Sequence, residues 1–297
     1  MQIGIDLGGT KTEAIALEGD RIVADRRRIV TRPDYEGTLD SIERLVHEIE
    51  TETGCTGSVG VGIPGTVSRA TGYVKNANST WLNGRPLLED LEARLGRPIR
   101  LANDANCFAL SEAVDGAGQG FQTVFGVILG TGVGGGIAIG RSILEGPNQI
   151  AGEWGHNPLP WMTDEERAAT PMCYCGKSGC VETFLSGPGF ERDAALHYGT
   201  TRSSHEIVRA AAGGEAYAVH ALERYHDRIA RALAVVINIV DPEAVVLGGG
   251  MSNVPDLPTA IAAVLPRYVF SDTVVTKILM NSHGDSSGVR GAAWLWA

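Results

Sequence analysis

The sequence predicts an α/β fold built from two related halves, and three observations carry that reading. An apolar strand at residues 2–7 runs into Gly8-Gly9-Thr10-Lys11-Thr12 and returns as strands near 13–17 and 21–29. The same strand–glycine turn–strand device recurs at 123–129, Gly130 to Gly136 and 137–139. Stretches with a helical period of apolar residues separate these strands from further short apolar runs. The likeness between the halves is one of topology; residue by residue it is weak.

Each further element follows from spacing. Leu39, Ile42, Leu45, Val46 and Ile49 recur at helical intervals, and Gly54 suits the helix end. Residues 59–63 read as a buried strand that stops at Pro64-Gly65, and 88–95 read as a helix. A short strand at 99–101 leads into Asn103-Asp104-Ala105-Asn106, where a helix carrying Phe108, Ala109 and Glu112 begins. Leu222, Tyr225, Ile229, Leu233 and Ile237 form one apolar stripe that ends at Asp241-Pro242, and strand 244–247 then enters Gly248-Gly249-Gly250. No low-complexity linker divides the chain, so the halves are expected to meet at a hinge near 112–120.

Composition narrows the function classes. The 297 residues are 43% hydrophobic and 20% charged, ordinary for a globular protein. Acidic residues outnumber basic ones 35 to 25, and a net charge of −10 argues against a broad nucleic-acid surface. No run approaches the ~20 apolar residues that span a bilayer, and Met1 to Asp6 has neither a basic region nor a cleavable apolar stretch, so a cytoplasmic protein without membrane partners is expected. The five cysteines are odd in number and clustered, which favours metal over disulfides; Cys55 and Cys107 read as small buried residues.

Three cysteines fall within Cys173-Tyr174-Cys175-Gly176-Lys177-Ser178-Gly179-Cys180, with His156 upstream. Three thiolates and one imidazole make a closed tetrahedral zinc site. Such a metal builds structure, and here it would fix Glu153-Trp154-Gly155-His156 against Glu182. Those residue types supply donors and acceptors for a polyol. For His156 the alternatives are zinc ligand, sugar contact or both, and for Glu182 a sugar contact or a solvated charge.

The glycine loops point to phosphate. At a hairpin tip, glycines let backbone N–H groups approach a phosphate, and Asp6 at the strand end could hold Mg²⁺ through water. An ordinary turn is the alternative for the first loop, which lacks the Walker pattern. The second loop has five glycines in seven residues, more than a turn needs. The third, at Gly248-Gly249-Gly250, would pass under a base or ribose, or serve helix–sheet packing. Asp104 is the candidate base for a substrate hydroxyl, with helix capping as the alternative. Pro64-Gly65 and Asn76-Ala77-Asn78-Ser79-Thr80-Trp81-Leu82-Asn83-Gly84 offer a second wall of a sugar site, or a surface loop with Trp81 in the core.

Taken together, Asp6-x-Gly8-Gly9-Thr10-Lys11, Pro64-Gly65, Asn103-Asp104-x-Asn106, Gly130 to Gly136, Glu153-x-Gly155-His156 and Cys173 to Glu182 resemble the ROK family over essentially the whole length. The resemblance implies a two-domain actin-like or ribonuclease-H-like ATPase fold that closes on ATP and a hexose. It divides the chain into 1–114, joined by 285–297, and a larger domain at 115–284 with the zinc insertion. It implies Asp104 as general base, with Gly65, Asn78, Asn103, Glu153, His156 and Glu182 on sugar hydroxyls. ATP with Mg²⁺ would engage Gly4, Asp6, Gly8, Gly9, Thr10, Lys11, Thr131, Gly132, Val133, Gly134, Gly135, Gly136, Gly248 and Gly249. Structural zinc would sit on His156, Cys173, Cys175 and Cys180, and the chain would form a homodimer. Residues 75–84, 153–162 and 283–296 look like the fructokinase branch, which also accepts mannose. The expected reaction is therefore fructose to fructose 6-phosphate, with N-acetylglucosamine or glucose as the alternative acceptor. A sugar-sensing regulator is the remote alternative, since it needs a DNA-binding helix-turn-helix ahead of the first strand.

Overall fold

A computed structural model describes residues 1–284 and 286–297 with their side chains. The chain groups into two compact units, one of Met1–Gly126, Gly136–Gly152 and Ser282–Ala297, the other of Val127–Gly135 and Glu153–Asn281. The first unit thus runs past residue 114, the limit read from the sequence, and takes in 136–152 as well.

The first unit opens with strands β1 (Gln2–Leu7), β2 (Lys11–Glu18) and β3 (Arg21–Val30), then helix α1 (Tyr35–Thr53) and strand β4 (Ser58–Ile63). A two-stranded ribbon, β5 (Thr66–Val67) and β6 (Val74–Lys75), leads to α2 (Leu87–Leu95), β7 (Ile99–Asn103) and α3 (Asp104–Asp115). The sheet order is β3-β2-β1-β4-β7; β1 pairs antiparallel with β2 and parallel with β4, and β4 is parallel to β7. Parallel strands covered on both faces read as continuous apolar runs, and β4 is buried from Val59 to Ile63. Helix α1 ends where its spacing predicts: Gly54 takes φ 66° and donates its N–H to the Glu50 carbonyl.

One face of this sheet packs Ile3, Ile5, Val59 and Val61 with Leu39, Ile42, Val46 and Leu91 of α1 and α2. On the other face lie α3 and the last helix, α10 (Ser287–Trp294). That helix comes very close, because a Cβ on Gly4 would strike the Val289 carbonyl and one on Gly60 the Ala292 carbonyl. Trp81 is half-buried against the α1–α2 core and donates its indole N–H to Thr38 Oγ1 at 3.1 Å, so the core placement holds for it.

A second five-stranded sheet has the order β10-β9-β8-β11-β12, formed by β8 (Thr123–Leu129), β9 (Val133–Ile139), β10 (Ser142–Ile143), β11 (Ala244–Gly248) and β12 (Lys277–Met280). Its helices are α4 (Asp164–Ala168), α5 (Glu182–Leu185), α6 (Gly187–Tyr198), α7 (Ser204–Ala212), the 25-residue α8 (Ala216–Val240) and α9 (Leu257–Val264). In chain order each sheet reads third, second, first, fourth, fifth strand, so the repeat seen in the sequence is a repeat of topology. The fold is that of the actin-like, ribonuclease-H-like ATPases. Among the described residues no helix is long and apolar enough to cross a membrane.

Candidate active site

In the first unit the β1–β2 turn is tight. The Gly8 N–H donates to the Lys11 carbonyl at 3.0 Å, and Thr31 straps the turn from outside, its hydroxyl donating to the Gly8 carbonyl at 2.8 Å and its N–H to that of Thr10 at 3.0 Å. Gly9 and Thr10 are left exposed at the tip. Asp6 lies one residue from the end of β1, opposite Glu13 of β2. Burial, then the charges of Asp104 and Glu13, push the Asp6 carboxyl up to about 7, with Lys11 as a partial offset. Glu13 is itself buried and ion-paired with Lys11 at 3.2 Å and with Arg28 at 2.5 Å.

Asn103 and Asp104 divide the work at the start of α3. The Asn103 Oδ1 caps the helix, accepting from the N–H groups of Ala105 at 2.9 Å and Asn106 at 3.3 Å, while its Nδ2 donates to the Gly65 carbonyl at 3.1 Å. Asp104 is the first helical residue, and its Oδ1 accepts from the Ala105 N–H at 2.8 Å. The positive end of a helix favours the ionised carboxylate there. The N-cap residue is Asn103, and Asp104 shares the Ala105 N–H with it. Gly65 has φ 76°, and a Cβ on it would lie 2.6 Å from the Ala77 nitrogen, so no larger residue fits under that turn. Asn78 is exposed.

In the second unit the loop Gly130 to Val133 is closed by its own Gly130 N–H to Gly132 carbonyl bond at 2.9 Å. Glu182 holds it, its Oε2 accepting from the Val133 N–H at 3.0 Å, and a Cβ on Gly132 would come within 2.7 Å of that oxygen. The Trp154 indole donates to the Gly134 carbonyl at 2.9 Å. Thr131 is exposed and Gly132 and Gly134 half-buried, whereas Val133 and Gly135 are buried. Gly249, at φ 84°, passes directly over Leu129 and is exposed; Gly248 is buried.

The cysteine cluster forms as its spacing predicts. One ligand atom each from His156, Cys173, Cys175 and Cys180 lies within 4.8 Å of the others. Cys175 Sγ is 3.6 Å from Cys180 Sγ, and Cys173 Sγ is 3.6 Å from His156 Nδ1. A tetrahedral zinc with Zn–S of about 2.3 Å sets its ligands about 3.8 Å apart, so the donor set fits that metal. The turn is short because Gly176 and Gly179 take φ 85° and 76°. Leu159 donates to the Gly179 carbonyl at 2.8 Å and Val181 to that of Asn157 at 2.8 Å, which ties the segment after His156 to the one before Glu182. Burial pushes the Cys180 thiol up to about 12.

Several expectations need correction. Gly4 is buried in β1 under α10, where its missing side chain serves close packing against the Val289 carbonyl. Gly136 is likewise a packing glycine, since a Cβ there would lie 2.5 Å from the Ala105 carbonyl and 2.8 Å from Asn106 Cα. Cys55 is exposed, not buried; Cys107 is buried as expected. The structure also brings in Tyr174, an unspecified position of the cysteine pattern. Its side chain is exposed, and its hydroxyl lies 2.9 Å from His156 Nε2.

The two sheets of common topology, the glycine turns and the carboxylate at a helix start define a phosphotransferase of the actin-like class. The chain is a sugar kinase of the ROK family, whose model matches residues 2–297. It is 42% identical over 299 residues to the N-acetyl-D-glucosamine kinase of Photobacterium profundum, covering 99% of each chain. The ROK hexokinase of Thermus thermophilus superimposes with a TM-score of 0.87 at 30% identity, over 99% of this chain and 96% of that one. A ROK family glucokinase from Streptomyces griseus, solved with glucose and AMPPNP, gives 0.79 at 29% identity, over 99% and 98%.

Proposed function

We propose that the protein transfers the γ-phosphoryl group of ATP to a hexose hydroxyl, with Asp104 as general base. The observation that carries this is the Asn103–Asp104 pair: one side chain caps α3, and the other is held at its positive end, charge-coupled to Asp6 beside the first glycine loop. Asp104 accepts the hydroxyl proton as that oxygen attacks phosphorus; the new O–P bond forms as the bond to ADP breaks. Gly8, Gly9, Thr10 and Lys11, with Thr131, Gly132, Gly134 and Gly249, are proposed on the nucleotide. Asp6 suits a divalent cation, because a carboxyl raised by burial and then by two neighbouring acids is relieved by positive charge. Mg²⁺ held by Asp6 would supply charge neutralisation for the phosphates. Gly65, Asn78, Asn103, Glu153, His156 and Glu182 are proposed on the sugar. Zinc on His156, Cys173, Cys175 and Cys180 is proposed as structural.

The acceptor supported by the 42% identical relative is N-acetyl-D-glucosamine. D-fructose at its 6-hydroxyl is the second reading, favoured by the likeness of residues 75–84 and 153–162 to fructokinases; mannose goes with it. An ADP-release assay over N-acetylglucosamine, fructose, mannose and glucose decides. Highest kcat/KM on the N-acetyl sugar supports the first reading, and highest on fructose replaces it with the second. In the same assay Asp104→Ala should lose about 10²–10⁴-fold in kcat with an unchanged melting temperature. A near-normal kcat removes Asp104 from the base role.

A further inference from the structure

Ser79 is buried, 3% exposed, and its Oγ has no hydrogen-bond partner among the described residues. Buried hydroxyls are paired in the great majority of cases, so an orphan calls for an explanation. Ser79 stands at the N-cap of the helical turn Thr80–Leu82, a position where serine normally bonds to backbone N–H, yet it makes no capping bond.

What the hydroxyl faces is the first glycine loop. A Cβ built on Gly9 would lie 3.5 Å from Ser79 Oγ, with no other atom near it. Nor is the segment free to turn elsewhere. Asn83 clamps it from within, its Oδ1 accepting from the Ala77 N–H at 2.9 Å and its Nδ2 donating to the Ala77 carbonyl at 2.8 Å. Gly65 packs under Ala77 and is bonded to Asn103. The same rigid set therefore positions Ser79, the turn at Gly65 and the start of α3 carrying Asp104.

We infer that the Ser79 hydroxyl donates a hydrogen bond to the terminal phosphate of the nucleotide, making Ser79 a further substrate-contacting residue. The inference rests on the kinase reading above. The phosphate is favoured over the sugar because the exposed tip opposite Ser79 is a bare glycine turn. Backbone N–H groups and a hydroxyl donor together suit a ligand whose oxygens only accept.

The test is binding calorimetry of wild-type protein and Ser79→Ala with Mg·AMPPNP and with Mg·ADP, in the presence and absence of the preferred hexose, alongside steady-state kinetics. A hydrogen bond to a charged group predicts a loss of about 10- to 100-fold in AMPPNP affinity and a matching fall in kcat/KM for ATP, with ADP affinity and the hexose KM within about twofold. An equal loss for both nucleotides would mark a structural role and overturn the inference. So would unchanged AMPPNP binding, or a rise confined to the hexose KM. Ser79→Gly takes the place of the alanine variant if that one misfolds. Wild-type protein that binds neither nucleotide and phosphorylates no hexose would instead sink the kinase reading, and the inference with it.

Discussion

An ionised carboxylate at Asp6 faces two other acids, Asp104 and Glu13, and little water. Its folded value, about 7, lies above the ordinary 3.8. The folded state therefore holds this proton more tightly than the unfolded chain. The stability so gained is fully present below pH 3.8 and is lost as pH rises through about 7. Asp6→Asn removes the dependence. Ligand-free Asn variant should melt progressively higher than wild type between pH 5 and pH 8, by thermal denaturation, while losing Mg²⁺-dependent turnover. A difference that stays flat with pH would mean that Asp6 is not strained. Residues of this kind were legible because carboxylates, histidines and cysteines at fixed spacing have few other uses. Glycine was not. Gly4 and Gly136 sit in the same motifs as Gly9 and Gly132, yet serve close helix packing, and a missing side chain looks the same in both roles. Ser79 was invisible for the opposite reason: a serine in an asparagine-rich turn announces nothing until its burial is known.

Among the elements, several of the strands and helix ends read from spacing stand close to where they were placed. Strand β8 has the limits that its apolar run implies, and α8 stops at Asp241 before Pro242. The second glycine turn is shorter than its glycines suggest, because β9 already begins at Val133 and three of the five glycines lie in the strand. Hidden from the sequence was the polar side of α8. Arg228 and Arg231 look like solvated bases on an amphipathic helix but are 1% and 3% exposed. Both bind Glu166, Arg228 Nε at 2.7 Å and the Arg231 guanidinium at 2.8 and 2.9 Å, and Arg228 also reaches Asp193 at 2.7 Å. Arg231 donates as well to the carbonyls of Pro160 and Trp161, so this network anchors the segment that follows His156. Burial alone would raise the Glu166 carboxyl, but the bonds from Arg231 and Arg228 win and hold it at about 2. Its contribution to stability is present above 4.5 and is lost as pH falls toward 2. Glu166→Gln leaves two buried guanidinium groups undercompensated and should cost about 3 kcal/mol or more in urea unfolding at pH 7, and far less near pH 2. A cost that is the same at both pH values would rule out the ionic account.

At the scale of the whole molecule, the two sheets share a strand order and both units bury apolar side chains, such as Ile3, Val59 and Val61 in the first and Leu129, Leu233 and Val246 in the second. The first unit has apolar cores on both faces of its sheet, closed by α10. The second also carries the buried charge network and the His156, Cys173, Cys175 and Cys180 cluster, where chain crosses chain through isolated β-bridges such as Pro158 to Cys180 and Met172 to Ser178. A tetrahedral metal there, with an apparent binding energy of about 10–16 kcal/mol in small structural sites, would hold the crossing segments together. Chelation should therefore act on one unit first. Hydrogen exchange on chelator-treated protein should lose protection across 153–182, including the Val181 N–H to Asn157 carbonyl bond, while β1, β4 and α10 keep theirs. Cys175→Ser should give the same map without chelator, and added zinc should reverse the chelated protein but not the variant. Because Glu182 in that segment holds the Val133 N–H, the loop at 130–133 should loosen with it, and Mg·AMPPNP affinity should fall in step with the lost protection. Uniform loss of protection over both units would mean that the metal stabilises the molecule as a whole. No change on chelation, in protein shown by metal analysis to be zinc-free beforehand, would mean that the four residues fold together without it.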